Sequence, residues 1–573
     1  MQSETKICQN CKKDFIIEPE DFNFYEKMKV PAPTWCPECR MVRRLSFRNE
    51  SMLFRRLDSH TGKEIFSGFS PKSKVITYEN NYWYSSDWDQ LETGVDYDFS
   101  KTFFEQFRLL FSRAPVLARS VYNMVNSDYC QEASECKNAY LCFNADYIEN
   151  SAYLRKSHRV KDSFDCYEVD ENELCYENVL VDKSYQTFFS TDCESCVDVW
   201  FSKGLRGCTN CFGCVNLRNK SYYYFNKACT REEYLENIRF LTSGSYKIML
   251  ETKKKVANFW LNFPNKFYHG LRVINSTGER IFDSKNVKDS YFVKNAQNMR
   301  YCQDVWIKAS DCYDYSVWGD GAENIYECMT CGMGVYNLKF CFHCWEEARD
   351  LEYCAYCIGS KNCFGCVGLY KKEYCIFNKQ YTKEEYFLMV QKIKKQMNEV
   401  PYIDKNGRIY RYGEFFSFDI SPLSYNESLA QFFFPLDKNT AEEKGYQWRE
   451  NSTREYDITI DAKDLKDNID DIEDTILNEA IKCINCNRAY RIISLEFQFY
   501  KRMKLPLPRT CHNCRFIERF KLVNPPKLWH RKCMCDKTSH NHQGKCEVEF
   551  ETPYAPERPE IVYCEKCYQQ EVY

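Results

Sequence analysis

The middle of the chain alternates short runs of aromatic, cysteine and aliphatic residues with polar turns. Between residues 287 and 378 the units read VKDSYFV, NMRYCQDV, ASDCYDYS, ENIYECMTC, NLKFCFHC, DLEYCAYC, KNCFGCV and KKEYCIFN, at steps of 9 to 16 residues. Many short strands at this spacing predict an all-β array. Self-similarity at a steady interval favours a solenoid. We expect parallel β-helix coils of two units each, with a meander of hairpins as the alternative.

The repeat array occurs twice. Segments 209–234 and 361–386 align at an offset of 152, and both contain NCFGC. Each segment reaches an S/T-x-x-E capping box, which starts a helix. The box residues are Thr230 with Glu233 and Thr382 with Glu385. The sequence therefore predicts two homologous β-rich halves, each closed by a helix.

A different pattern stands near each end, where two CxxC pairs are separated by 24 residues. The cysteines are Cys8, Cys11, Cys36 and Cys39 near the start, and Cys483, Cys486, Cys511 and Cys514 near the end. The two copies align at an offset of 475, and the match includes Phe24/Phe499, Tyr25/Tyr500, Arg40/Arg515 and Arg44/Arg519. Four thiolates can enclose one zinc ion, and such closed sites are structural. We predict two zinc ribbons.

A further CxxC pair, Cys564 and Cys567, lies close to the C-terminus. Its available partners are Cys533, Cys535, Cys546, His540 and His542. We favour Cys533 and Cys535 as the partners, which gives a third structural zinc site; sets with Cys546 or a histidine are the alternative.

Residues 57–83 align loosely with this C-terminal module. The alignment pairs Asp58 with Asp536, Tyr78 with Tyr563 and Trp83 with Tyr568, and it places no cysteine pair in the N-terminal copy. We expect this segment to fold without metal on its aromatic residues, which are Tyr82, Trp83, Tyr84 and Trp88.

Cysteine makes up 35 of the 573 residues. The chain shows no basic start followed by an apolar run, and no stretch of 18 consecutive apolar residues, so we expect neither a signal peptide nor a membrane span. We therefore expect a cytoplasmic protein, in which the cysteines stay as thiols or metal ligands. For the 22 cysteines of the two repeat halves we expect packing as small apolar residues; further metal sites at Cys208/Cys211/Cys214 or Cys354/Cys357/Cys363/Cys366 are the alternative.

Charge is unevenly distributed along a chain whose net charge is only −3. Residues 482–532 carry a net charge of +11, and residues 454–480 carry −7. A basic ribbon with interleaved aromatic residues is typical of nucleic-acid binding. The candidate contacts are Lys501, Arg502, Lys504, Arg515 and Arg519. The alternative is that the acidic segment, with helical spacing of its isoleucines, docks on the ribbon and neutralises it.

These patterns divide the chain into ten segments. They are a zinc ribbon (1–56), a degenerate metal-free ribbon-like segment (57–100), a connecting helix (101–120), the first repeat half (121–229), a helix (230–265), the second repeat half (266–381), a helix and connecting segment (382–452), an acidic helical linker (453–480), the second, basic zinc ribbon (481–528) and a third zinc-binding module (529–573).

The CxxC–x24–CxxCRxxR pattern with Phe24, Tyr25, Pro31 and Pro33 between its cysteine pairs resembles the probable zinc-ribbon domain of bacterial proteins. Together with FFEQF (103–107), FNKQYTKEEY (377–386) and RPEIVYC (558–564), it resembles uncharacterised zinc-ribbon, cysteine-rich repeat proteins of candidate-phylum bacteria. Some members carry a CaiB/BaiF CoA-transferase label. The resemblance implies an architecture, and this chain lacks the α/β pattern expected of that enzyme.

Catalytic motifs such as GxSxG, HExxH and the phosphate-binding loop do not occur. The sequence favours a non-enzymatic zinc-binding scaffold that contacts nucleic acid or a ribonucleoprotein through its basic C-terminal ribbon. A protein–protein assembly hub is one alternative, and a β-helix enzyme acting on a glycan-like polymer is another.

Overall fold

The computed structural model describes residues 2–450 and 457–572. It is mainly β and forms two compact units. Residues 2–119 and 268–450 make up the first unit, and residues 120–267 and 457–572 make up the second. Each unit contains one repeat half, which is a β-solenoid. The predicted fold class is therefore confirmed, and the meander of hairpins is excluded because successive coils pair in parallel.

One coil of the first solenoid half contains 12 residues. Phe143 pairs with Arg155, Arg155 with Tyr167, and Tyr167 with Val179. The second half contains coils of 12 and of 13 residues, such as Glu323 to Tyr336. Each sequence unit therefore forms a whole coil, and the expectation of two units per coil is wrong.

A left-handed backbone conformation at every third residue makes coils this small possible. Asn150, Tyr153, Lys156, Arg159 and Asp162 have φ between 46° and 60°. Such values are unusual for residues with a side chain. Here the backbone N–H of a left-handed residue donates to a carbonyl of the preceding coil, as from Asp162 to Glu149 at 3.0 Å. Because each turn is hydrogen-bonded to its neighbour, the coils hold each other in this conformation.

The residue two positions before each left-handed residue points into the solenoid. In the first half this inner stack contains cysteine, alanine, valine, leucine and isoleucine, with serine and asparagine between them. Inner cysteines donate S–H bonds to carbonyl oxygens nine residues on, as from Cys136 to Ala145 at 3.4 Å. In the described residues, the clusters able to hold a metal ion all lie outside the solenoid. The geometry thus agrees with the packing interpretation of the repeat cysteines.

The solenoid strands are short and follow one another directly. Those of the first half are Val121–Val125, Gln131–Tyr140, Phe143–Ala152, Arg155–Lys161, Tyr167–Glu173, Val179–Asp182, Tyr185–Phe188, Val197–Trp200, Thr209–Phe212, Ser221–Tyr224 and Lys227–Ala228. Those of the second half are Gly270–Ile274, Gly278–Lys288, Ser290–Lys294, Ala296–Arg300, Gln303–Val305, Ala309–Tyr313, Glu323–Tyr326, Met329–Gly332, Tyr336–Lys339, Phe342–Trp345, Arg349–Glu352, Lys361–Phe364, Glu373–Ile376 and Lys379–Gln380.

Helices flank the solenoid halves. Both predicted capping boxes are present, at the start of Arg231–Arg239 and of Lys383–Glu399. The remaining helices are Pro19–Met28, Pro37–Leu45, Asn80–Tyr84, Phe103–Phe111, Tyr246–Trp260, Ala430–Phe433, Lys438–Glu443, Ser494–Met503, His512–Phe520 and Glu565–Val572. None of the helices within the described ranges is both long and apolar enough to cross a membrane.

The terminal modules consist of small sheets and helices. Their strands, with those of the connecting segments, are Glu4–Ile7, Asp14–Ile17, Phe54–Leu57, Glu64–Ser67, Thr77–Tyr78, Val116–Leu117, Asn265–Lys266, Tyr402–Ile403, Ile409–Tyr410, Ile460–Asp461, Ile481–Lys482, Ala489–Tyr490, Trp529–Lys532, Glu549–Thr552 and Val562–Tyr563. The N-terminal ribbon shares a unit with the second solenoid half, and the second ribbon shares one with the first half. Each ribbon is therefore paired with the solenoid half that is farther from it in the sequence.

Candidate metal centres and their attachment to the solenoid

The structure brings together the four cysteines of each predicted ribbon. The sets are Cys8, Cys11, Cys36 and Cys39, and Cys483, Cys486, Cys511 and Cys514, with the sulfur atoms of each set within 4.8 Å of one another. The third cysteine of each set is the N-cap of a helix. Its backbone N–H donates to the first sulfur, from Cys36 to Cys8 at 3.2 Å and from Cys511 to Cys483 at 3.3 Å. These N–H donors favour a thiolate, which is the form that binds metal.

The electrostatics of the second ribbon agree with this geometry. Burial alone would raise the pKa of Cys483, but backbone N–H groups of Cys511 and Cys486 lower it to about 7. A helix N-terminus adds positive potential to the same place, because its first N–H groups have no partner within the helix. Cys483 can therefore be a thiolate near neutral pH.

In the third module the structure groups four cysteines that differ from the expected set at one position. The structure groups Cys533, Cys546, Cys564 and Cys567, whereas the sequence analysis favoured Cys535 in place of Cys546. Cys546 lies near the end of the hairpin loop between Trp529–Lys532 and Glu549–Thr552, and this loop returns it to the CxxC pair. The sequence does not show how the loop folds back, so spacing alone favoured Cys535, which is closer to Cys533 along the chain.

The degenerate segment has the same topology as the third module without its cysteines. In both, a hairpin is followed by a two-residue strand that pairs in parallel with the strand leading into a solenoid half. Asp58 occupies the place of Cys533, since the first strands end at Leu57 and Lys532. The N–H of Glu79 donates to the Asp58 carboxylate at 3.0 Å, as the N–H of Cys564 donates to the Cys533 sulfur at 3.2 Å.

Hydrogen bonds and the packing of aromatic side chains stabilise the degenerate segment. Asp58 also accepts from the backbone and hydroxyl of Thr61, and these bonds lower its pKa although burial opposes this. Trp83 is fully buried, and its indole N–H donates to the Pro115 carbonyl at 2.9 Å. The aromatic packing expected from the sequence is present, but the pairing of Asp58 with Asp536 was out of register.

Both ribbons attach to their solenoid half through the same pair of arginines and one buried aspartate. In the second unit Arg515 lies 2.9 Å and Arg519 lies 2.8 Å from the carboxylate of Asp165. In the first unit Arg40 lies 2.7 Å and Arg44 lies 3.4 Å from the carboxylate of Asp314. We call these two arrangements the arginine clamps. Both aspartates are fully buried, and each occupies a left-handed turn position of its coil.

Aromatic residues complete each arginine clamp. Phe499 packs on Phe164 at 4.6 Å between ring centres, and Phe24 stacks on Tyr313 at 3.8 Å. The next residue of each ribbon also packs on a solenoid ring: Tyr500 contacts Tyr176, and Tyr25 contacts Tyr326. Four residue pairs that the two ribbons share beyond their cysteines thus contact the solenoid: Phe24/Phe499, Tyr25/Tyr500, Arg40/Arg515 and Arg44/Arg519.

This packing changes the interpretation of the basic ribbon. Arg515 and Arg519 are each only 5% exposed, so they are not accessible to a nucleic-acid backbone. Two other proposed contacts are paired with the acidic segment, Lys501 with Asp474 at 3.0 Å and Lys504 with Asp470. Of the five candidates, Arg502 is exposed and forms no ion pair within the described residues. The alternative in which the acidic segment docks on the ribbon agrees with the structure.

The acidic segment does not dock as an α-helix, however. Its described part contains the 3₁₀ turns Ala462–Asp464, Ile469–Asp471 and Asp474–Asn478. Ile469, Ile472 and Ile476 are buried, as their spacing predicted. Asp467 and Asn468 bond to residues 243–247, which keeps the chain in turns where a helix was expected.

The buried Glu496 gives the second ribbon a pH dependence. Burial raises the pKa of this carboxyl to about 7 from its usual value near 4.5, so the fold favours the neutral form. The free energy of unfolding therefore falls as the pH rises from 4.5 to 7. Glu496→Gln removes this effect, and we expect the variant ribbon to be more stable at pH 8 by on the order of 3 kcal/mol.

Hydrogen exchange of the helix Ser494–Met503 across pH, corrected for intrinsic rates, measures this difference. Below pH 4.5 the variant and the natural protein should agree. Glu518→Gln, at an exposed carboxyl of the same ribbon, is the control and should show no such trend. A Glu496→Gln profile parallel to that of the natural protein would contradict the assignment.

Comparison with known proteins gives no identity. No family model and no curated protein matches the chain. Among solved structures, one described as "putative acetyltransferase from Desulfovibrio desulfuricans G20" matches at 10% identity, over 51% of this chain and 75% of the other, with a TM-score of 0.10. A score this low carries no argument about fold or activity, so the resemblance to zinc-ribbon repeat proteins stays a prediction.

Proposed function

We propose that this protein is a non-enzymatic scaffold in which metal-bound ribbons are fastened to β-solenoids. The observation that carries the proposal is the arginine clamp, which occurs once in each unit. The residues that look most suited to binding a ligand, a pair of arginines behind a CxxC motif, are used to attach one part of the chain to another. The ribbons then serve as structural elements, and the solenoid surface is what a partner meets.

Zinc is the metal that fits the three four-cysteine sets best. Each set offers four sulfur ligands and leaves no ligand position open, which is typical of structural zinc. All 35 cysteines are free of disulfides, which supports the proposal of a reducing, cytoplasmic location.

The solenoid offers a partner an ordered polar surface. Side chains 12 residues apart bond to one another along the stack, such as Asn126 to Asn138 at 3.2 Å and Asn138 to Asn150 at 2.9 Å. Ion pairs with the same spacing follow on nearby coils, including Arg159 with Glu171 at 3.3 Å. A surface whose side chains are held in place loses little conformational entropy on binding.

Recovery of the full-length protein from nuclease-treated cells after crosslinking tests the scaffold proposal. We expect a protein partner in fixed stoichiometry, crosslinked to solenoid surface residues. Turnover of a glycan-like polymer by the purified protein would overturn the proposal in favour of an enzyme.

Nucleic-acid contact remains a second candidate, carried by Arg488, Arg491 and Arg502, which are exposed on the second ribbon. If they bind phosphate groups, RNA or DNA binding should fall steeply with salt, and replacing all three with alanine should abolish it. On duplex DNA, each lost contact should reduce the slope of the logarithm of the binding constant against the logarithm of the salt concentration by about 0.9. The control is Arg231→Ala with Arg239→Ala, on an exposed helix of the same unit. If the triple ribbon variant and the control bound nucleic acid equally well, the second ribbon would be excluded as the contact surface.

A further inference from the structure

We propose that the third module binds two metal ions that share the thiolate of Cys567. The inference rests on the proposed metal site of Cys533, Cys546, Cys564 and Cys567 and adds a second site beside it. The second set is Cys535, His540, His542 and Cys567. Cys567 belongs to both sets, and a thiolate can bridge two cations because its sulfur has several lone pairs.

The added residues converge on one point. The Cys535 sulfur lies 3.1 Å from His540 Nδ1 and 3.3 Å from His542 Nε2. With the Cys567 sulfur, these ligand atoms all lie within 4.8 Å of one another. Cys535 is fully buried, and His540 is 7% exposed. Two sulfurs and two imidazole nitrogens form one of the usual ligand sets of structural zinc.

The far side of each imidazole ring is arranged as in a metal ligand. His542 Nδ1 lies 2.9 Å from the carbonyl oxygen of Gly544, which can only accept, so the hydrogen of a neutral ring is on Nδ1. His540 Nε2 lies 3.4 Å from the carboxylate of Glu571. Metal-binding histidines commonly donate their other N–H to such groups, which fixes the tautomer. In the neutral rings, both nitrogens that face Cys535 therefore carry a lone pair.

A simple hydrogen-bond network explains this arrangement less well. The Cys535 thiol has one hydrogen and can donate to only one of the two lone pairs that face it. The other nitrogen would lie against sulfur without a hydrogen between them, and a buried polar atom without a partner is costly. A metal ion at this point satisfies the sulfur and both nitrogens together.

Charge favours the second ion as well. One dication with four thiolates carries a net charge of −2. A second dication that adds only the Cys535 thiolate brings the pair to −1, because the histidines are neutral ligands. A buried charge is costly, so the shared arrangement reduces the cost of enclosing five thiolates.

The second ion would add a link between the loop of residues 536–545 and the helix Glu565–Val572. Residues 536–545 form no helix or strand, and most of them are exposed. Coordination by His540 and His542 would tie this loop to Cys567 in the helix Glu565–Val572. Both ligand sets are complete with four protein ligands, so we infer a structural role for the pair.

Native mass spectrometry of the zinc-loaded full-length protein measures the number of metal ions bound per chain and so tests the proposal. We expect four zinc ions per chain, two in the ribbons and two in the third module. His540→Ala with His542→Ala should reduce the count to three. The matched control is His530→Ala, an exposed histidine of the same module that pairs with Glu549 and Glu551, and it should retain four.

Cobalt substitution tests the shared thiolate. Two Co²⁺ ions joined by one sulfur are magnetically coupled, so we expect a weaker paramagnetic resonance signal per ion in the natural protein than in the double histidine variant. Three ions in the natural protein, or a count that the histidine substitutions leave at four, would overturn the second site while leaving the scaffold proposal intact. A count that falls to three without magnetic coupling would overturn the bridge.

Discussion

Replacing Asp165 with asparagine is expected to release the second ribbon from the first solenoid half. Asp165 is fully buried and pairs with Arg515 and Arg519, which hold its pKa below the usual range against the effect of burial. Asparagine tolerates the left-handed backbone and fills nearly the same space, but it leaves two buried guanidinium groups without a counter-charge. Breaking a buried ion pair in this way costs about 3 to 5 kcal/mol.

Asp162→Asn is the matched control for this variant. Asp162 occupies the preceding left-handed position of the same coil, with φ of 46° against 57° at Asp165. Any effect of asparagine on the turn itself should appear in both variants. Hydrogen exchange of His512–Phe520 should increase in Asp165→Asn alone. Equal protection in the two variants would show that the arginine clamp does not hold the ribbon.

Removing one ligand from a ribbon should have a larger effect. In Cys514→Ala we expect the loss of one metal ion per chain and unfolding of the second ribbon, because structural zinc contributes on the order of 10 kcal/mol to such modules. Metal analysis together with hydrogen exchange of residues 481–520 measures both effects.

Cys142→Ala separates the metal contribution from the loss of a buried thiol. Cys142 is fully buried in the first solenoid half, where its sulfur contacts carbonyl oxygens. We expect this variant to keep its full metal content and to lose only about 1 to 2 kcal/mol, as for a small cavity in a packed core. A loss of metal from Cys142→Ala would show that the solenoid cysteines also bind ions.

Local pattern was enough to predict several features of the fold. The short units with polar turns predicted a solenoid, and the capping boxes at Thr230 and Thr382 predicted where helices begin. The two CxxC pairs of each ribbon predicted the ligand sets that the structure assembles. These features depend on residues close in sequence or on a spacing that repeats, so the sequence displays them directly.

One signal in the sequence was missed. Every third residue of the first half faces inward, and from Cys130 to Cys214 these positions hold small or apolar side chains apart from Asn172 and Asn178. A three-residue period of this kind indicates coils with a turn at every third residue. It would have predicted that each sequence unit of the repeat forms one coil. Periods of two and of 3.6 residues do not match it, because those are the periods of isolated strands and helices.

The sequence by itself determined the solenoid class, the duplication and the ribbon cysteines, because each is a repeated local pattern. Only the tertiary structure decided what the repeated arginines do. Arg515 and Arg519 are basic residues in a basic segment, and their partner Asp165 lies some 350 residues away in the chain. Tertiary structure likewise decided that Cys546 joins Cys533, Cys564 and Cys567. In each case the partner is chosen by which surfaces pack together, and spacing along the chain does not record that choice.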